Sequence, residues 1–154
     1  MYYLNMRYLL VAVLALFCGA TAQTPDVAGL VTVPSQSDFA TTVQQLETAL
    51  TENDLKVVAT VDHAANAQSA ELTLRPTTLF IFGNPEAGTP LMQAAQTTAI
   101  DLPQKMLVWE DESGAIFVSY NDPAYLGERH GLSDEAGLGA VADALAGLAE
   151  AATQ

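Results

Sequence analysis

His63 and His130 are the only imidazoles in this chain of 154 residues, so most acid–base chemistry open to it near neutral pH must run through them. His63 directly follows Asp62, and a carboxylate beside an imidazole is the pairing of a general base with its orienting partner. Consecutive strand residues point to opposite faces, so Asp62 can serve His63 only where a strand ends between them. The plainer reading makes His63 a hydrogen-bonding residue that fixes the loop after it. His130 falls in the last turn of a short helix, where the helix dipole favours a cation without any catalytic role. A copper or zinc site would need His63, His130 and Met92 with Asp62 or Asp122. The spacing, with neither H-x-x-x-H nor C-x-x-C, gives it no support. Met92 reads more simply as core filler.

Gly83-Asn84-Pro85-Glu86-Ala87-Gly88-Thr89-Pro90 joins a strand to a helix start, where exposed N–H groups can receive a carboxylate or phosphate. Glu86 opposes an anion and Pro90 removes a donor, which favours a loop that only turns the chain. Gly137-Leu138-Gly139-Ala140-Val141-Ala142 has the letters of a dinucleotide fingerprint but sits inside an amphipathic helix, with no strand before it. Glu110-Asp111-Glu112 lacks the spaced oxygens of a calcium loop and reads as solvated charge. Trp109, Phe117, Tyr120 and Tyr125 fall around a hairpin and the next helix. Ordinary core packing is the simpler account, and an apolar patch for a ligand or a second copy the other. There is no G-x-S-x-G elbow, phosphate loop or kinase motif, so serine acyl transfer and phosphoryl transfer lack sequence support.

Val27 to Val33 predicts a first strand ended by Pro34. Ser37 as N-cap and a stripe of Phe39, Val43, Leu46 and Leu50 predict a helix facing a sheet. Lys56 to Val61 predicts a second strand, antiparallel to or crossing the first, and His63 to Ala70 a loop or short helix. The β-branched and aromatic run Thr77 to Phe82 reads as a central strand buried on both faces. Thr89 as cap with Pro90 at the first position predicts a helix to about Thr97, which Asp101-Leu102-Pro103 ends. Met106 to Glu110 and Ile116 to Tyr120 flank Asp111-Glu112-Ser113-Gly114 as a hairpin. Asp122-Pro123 opens a helix that Gly131 closes, with Leu132 folding back on Leu126. Ser133, Asp134 and Glu135 begin a last helix along Leu138, Val141, Leu145 and Leu148, rich enough in Ala and Gly to pack loosely. The expected fold class is α+β, a two-layer α/β sandwich with helices on one mainly antiparallel or mixed sheet.

Val61-Asp62-His63-Ala64-Ala65, the run from Leu74 to Pro123 with its Gly83 to Met92 segment, and Arg129-His130-Gly131-Leu132 together resemble a bacterial domain, domain-of-unknown-function family 302. The resemblance covers about Ser35 to Leu132, implies a compact α/β sandwich and attaches no catalytic role to any residue.

Residues 1–22 predict a cleaved secretory signal: Arg7 opens it, Tyr8 to Phe17 forms its apolar middle, and Ala20-Thr21-Ala22 is an A-x-A site. That apolar stretch is shorter than the roughly 20 residues a membrane span needs. Residues 23–34 then form a leader and first strand, 35–132 the domain, and 133–154 the last helix, in a periplasmic or secreted protein. Cleavage removes the single Cys, so no thiol and no internal disulfide remain. Lys56, Arg75, Lys105 and Arg129 then stand against all 18 acidic residues. Such a balance excludes a phosphate-neutralising face for nucleic acid and disfavours anionic lipid surfaces.

The reading that gathers most of these residues is a non-catalytic binding module, able to pair as a homodimer, with no stable membrane insertion after signal cleavage. Its pocket for a small ligand or metal would lie among His63, Asn84, Thr89, Tyr120, Asn121 and Asp122. The alternatives are a hydrolase-like or redox enzyme using His63 with Asp62 or Asp122, and a structural oligomeric envelope protein. No cofactor is specified by the sequence. Convergence of His63, Asn84 and Asp122 on one concavity favours binding or catalysis; their dispersal beside an apolar sheet face favours oligomerisation.

Overall fold

The computed structural model describes residues 26–133 and 137–154. The expected signal at 1–22, and Asp134 and Glu135 of the expected last helix, lie outside those residues; Ser133 is not helical, and Gly137, at φ +90°, precedes that helix instead of lying within it. The elements run β1 (Leu30–Pro34), α1 (Phe39–Glu52), β2 (Lys56–Asp62), α2 (His63–Ser69), β3 (Thr77–Gly83), α3 (Pro85–Ala94), a 3-10 turn (Gln96–Ile100), β4 (Gln104–Glu110), β5 (Ile116–Asn121), α4 (Pro123–His130) and α5 (Leu138–Thr153). The five strands form one sheet in the order β1-β5-β4-β3-β2, antiparallel at every pairing. The fold is α+β, as the alternation of strand and helix signals indicates.

The core forms where periodicity places it. Phe80, Phe82, Met106, Val108, Ile116, Val118 and Tyr120 from one sheet face meet Leu46, Ala49 and Leu50 of α1 and Leu145, Leu148, Ala149 and Ala152 of α5. Each helix thus turns a stripe spaced by three and four residues onto the sheet. Burying one of the larger side chains stabilises by about 1.5–3 kcal/mol. On the opposite sheet face Trp109 stacks on Phe117 with ring centroids 4.9 Å apart. The Trp109 indole N–H donates to Ser119 Oγ at 2.9 Å, and Ser119 and Thr32 share a hydroxyl contact at 2.9 Å. The four aromatics around the hairpin therefore part company: Tyr120 joins the helix-covered core, while Tyr125 on α4 stays exposed.

Four local expectations are corrected. β2 neither pairs with β1 nor opposes it: four successive antiparallel pairings put the two at opposite edges running the same way. β3 lies inside the sheet but buries only alternate residues, Thr78, Phe80 and Phe82, because the two main helices cover one face alone. α1 is capped by Asp38, whose carboxylate accepts the Thr41 N–H at 2.8 Å, while Ser37 binds the Gln154 carbonyl instead. α3 begins at Pro85 under the cap of Asn84, which accepts the Glu86 N–H at 2.8 Å. Thr89-Pro90 offers the same cap-then-proline signal, but Asn84-Pro85 reaches it first as the chain leaves β3. Thr89 and Pro90 therefore lie within the helix.

The hairpin and α4 fold as their turn residues require. Gly114 takes φ +84° at the tip, and Gly131 takes φ +65° to end α4, so that the Leu132 N–H reaches the Gly127 carbonyl at 2.9 Å.

Candidate functional site

The register divides the expected site residues between two ends of the sheet. β3 and β5 finish at one end, β5 on Asn121, and Asn84 and Asp122 follow them there. His63 leaves β2 at the other end, since Asp62 pairs with Thr78 near the start of β3. Thr78 lies six residues before Asn84, roughly 20 Å along an extended strand. His63 is exposed at the first position of α2, and the Asp62 carboxylate caps that helix by accepting the Ala65 N–H at 2.8 Å. The register thus sets His63 apart from Asp122, and the carboxylate beside it serves the helix end.

At the first end, a cleft of about 650 Å³ opens between α3, α5 and the edge of the sheet. Leu91 and Met92 of α3, Leu102 and Pro103 before β4, and Val141 and Ala144 of α5 form its walls. Phe82, Leu145 and Leu148 close it toward the core, and Lys56, Asn84, Glu86, Thr89 and Gln104 supply its polar groups. Ala140 and Ala144 leave room that larger residues on α5 would fill. Of the expected binding residues, Asn84 and Thr89 line this cleft. Tyr120, with its ring in the core, and Asn121 do not. Asp122 caps α4 through the Ala124 N–H at 2.9 Å and borders a smaller hollow beside Gly127 and Leu138. Burial, and then the charge of Asp122, push the Tyr120 phenol above its ordinary pKa.

A second constellation centres on Asp101, between the 3-10 turn and β4. His130 Nε2 lies 2.6 Å from Asp101 Oδ2, and Arg129 Nη1 donates to Asp101 Oδ1 at 3.2 Å. His130 Nδ1 lies 3.0 Å from the Thr97 hydroxyl. Lys105 Nζ donates to the Asp101 and Pro103 carbonyl oxygens at 2.8 and 2.9 Å, and burial lowers its pKa despite the nearby Asp101 charge. Both nitrogens of His130 are engaged and its side chain is 6 % exposed. Among the described residues no three His, Cys, Asp or Glu side chains group to hold a metal. The three weak metal candidates separate accordingly: His130 in this network, Met92 in the cleft and His63 at the far end.

Residues 31–152 match the family model described as "Domain of unknown function DUF302", which spans all five strands and α5 but for Leu30 and Thr153. The chain belongs to the DUF302 family. Over 105 residues this DUF302 domain is 46% identical to a protein named Fluoride-specific ion channel FluC 1 from Brucella suis biovar 1 (strain 1330), across 68% of this chain and 41% of that one. A protein of the same name from Brucella abortus biovar 1 (strain 9-941) matches at 46% over 105 residues and 39% of its length. The chain spans about two fifths of these curated relatives. The crystal structure of a conserved DUF302 protein from Bacillus stearothermophilus superposes with a TM-score of 0.72, over 82% of this chain and 99% of that one. At 16% identity that likeness shows the fold alone. Among the described residues no helix is long and apolar enough to cross a membrane.

Two features of the DUF302 domain escaped the sequence. The outline of the cleft has no motif, although the Gly83 to Pro90 segment singled out as a place to receive a ligand lines it, opposite the Ala-rich face of α5. Asp101 reads as the residue that stops a helix, and nothing in its spacing foretells partners 28 and 29 residues downstream.

Proposed function

We propose that this DUF302 chain is an exported binding module whose cleft between α3 and α5 holds a small, largely apolar molecule. The observation that carries the reading is the cleft itself. Its volume of about 650 Å³ falls within the range of small-molecule pockets, and its walls are apolar with a few polar groups at the edges, the composition such pockets share. Asn84 and Thr89 are the residues best placed to orient a ligand, whereas His63 lies outside the site. Export rests on the signal reading of residues 1–22 and the acidic composition. The relatives named as fluoride channels match over only about two fifths of their length, which supports treating this fold as a unit that can be joined to another activity.

Nile red, an uncharged dye whose emission shifts to the blue in apolar surroundings, tests the cleft directly. Ala144→Trp places an indole in the cleft from an exposed position on α5 and is expected to abolish the shift. Ser69→Trp, exposed on α2 at the far end, should leave it intact. Equal dye binding by the wild type and Ala144→Trp, or no binding by either, would remove the cleft as a ligand site.

A further inference from the structure

We propose that Thr97, His130 and Asp101 form a second site, separate from the cleft, that transfers an acyl group from small carboxylic esters through the Thr97 hydroxyl. The geometry supplies the three roles that nucleophilic catalysis requires: an accessible nucleophile, a base within hydrogen-bond reach and a group that orients the base. Thr97 is exposed, with Oγ1 3.0 Å from His130 Nδ1. The His130 side chain is 6 % exposed and the Asp101 side chain 12 %, so base and orienting group are shielded while the nucleophile is not.

The bonds around the imidazole also set its tautomer. Asp101 Oδ2, 2.6 Å from Nε2, is a carboxylate oxygen and accepts, so the Nε2 position carries the hydrogen. Neutral His130 then has its lone pair on Nδ1, where it accepts from the Thr97 hydroxyl. Arg129 occupies the other Asp101 oxygen at 3.2 Å and fixes the carboxylate edge that faces the ring. Relative to the serine hydrolase template the two ring nitrogens exchange places while the roles stay the same.

In the first step Thr97 Oγ1 attacks the ester carbonyl carbon as its proton passes to His130 Nδ1. The bond to the leaving alkoxide breaks, and His130 returns the proton to that oxygen. An acyl-Thr97 ester and a free alcohol remain. Water then attacks the acyl carbon, giving its proton to His130, and Thr97 leaves as the hydroxyl with the acid as product. No oxidant, metal or further reactant enters. A secondary hydroxyl with one imidazole suits activated or short-chain esters better than amides, whose leaving group is far poorer.

The competing account makes the same contacts a latch between α4 and the 3-10 turn, with no chemistry. Treating the full chain with p-nitrophenyl acetate separates the two. A burst of p-nitrophenolate close to one equivalent is expected, with one acetyl group located by mass spectrometry on Thr97. Thr97→Ala, a change at an exposed position, should fold normally and lose the burst. His130→Gln should slow acylation roughly a hundredfold or more. Thr97→Ser, a less hindered alcohol on the same base, should keep it. Asp101→Asn tests the positioning residue: the acylation rate should fall with KM for the ester unchanged. Acetylation confined to lysines or the N-terminus, or equal rates in the wild type and Thr97→Ala with matching circular dichroism, would overturn the proposal.

Discussion

The two ends of the sheet use the same residue types for different work. At the end where β2 finishes and the hairpin turns, Asp62 caps α2 and Asp111 ties the hairpin, accepting the Ser113 and Ala115 N–H groups and the Ser113 hydroxyl at 2.7 to 2.9 Å. Both carboxylates satisfy donors within four residues of themselves. At the other end Asp101 joins elements far apart in sequence, linking the 3-10 turn to α4 through His130 and Arg129. An acid that only closes its own turn is marked by its short hydrogen bonds in sequence. An acid that gathers distant partners can build a site.

Removing one acid from each end breaks or confirms that contrast. Asp101→Ala leaves the buried His130 N–H without its acceptor while Arg129 stays half exposed, and should cost about 2 kcal/mol, the scale of a lost hydrogen bond to a charged group. Asp62→Ala deletes one exposed helix cap and should cost about 1 kcal/mol. Urea unfolding followed by circular dichroism measures both, and equal losses would erase the distinction between the ends.

The same distinction explains what the sequence could convey. The stripe of α1, the hairpin and the caps of α4 were legible because each is set by residues within a turn or two. The sheet order was not, since β1 finds its partner in β5 across most of the chain. Asn84, Asp62 and Asp122 stood out as polar residues at element ends, and all three are helix caps, Asn84 lining the cleft as well. Capping and catalysis draw on the same side chains, so composition at an element end cannot tell them apart. In sequence His130 reads as a helix-end cation, but the carboxylate and hydroxyl that give it a tautomer arrive from another element.

Glycines at the two ends differ in how closely their surroundings pack. Gly29, beside β1 at the α4 end, has φ +74°, and a Cβ there would lie 2.5 Å from the Tyr125 ring. Gly114 at the hairpin tip has φ +84° and open space around it. Gly114→Ala should therefore cost about 1 kcal/mol, the backbone strain of a left-handed residue. Gly29→Ala adds crowding that the exposed Tyr125 relieves in part by swinging away, for a total of about 2 kcal/mol. Thermal unfolding of the pair tests this, and a Gly29→Ala loss no larger than that of Gly114→Ala would show the α4 end to be as loosely packed as the hairpin.

The smallest effect is a division of the pH profile between the ends. Hydrogen bonds from Ser113, then Ala115, with a contribution from the Arg75 charge, hold Asp111 below its ordinary value of 3.8, and bonds from Thr41 do the same for Asp38. A carboxyl whose folded pKa is depressed stabilises the fold above its unfolded pKa, and that contribution is lost as pH falls through the folded pKa. The acid limb therefore carries the signature of the hairpin end, where α1 also begins. At the α4 end burial lowers Lys105 from 10.5 and raises Tyr120 from 10.0. For Lys105 the folded state releases its proton first, so stability rises with pH up to the unfolded pKa. For Tyr120 the unfolded state ionises first, so stability falls as pH climbs past 10.0. Asp111→Asn should accordingly flatten the loss of stability below 3.8 and leave the alkaline limb untouched, whereas Lys105→Met should alter only the alkaline limb. Urea midpoints taken across both limbs decide it: an Asp111→Asn chain that loses stability in acid as steeply as the wild type would show that its tie to the hairpin contributes nothing.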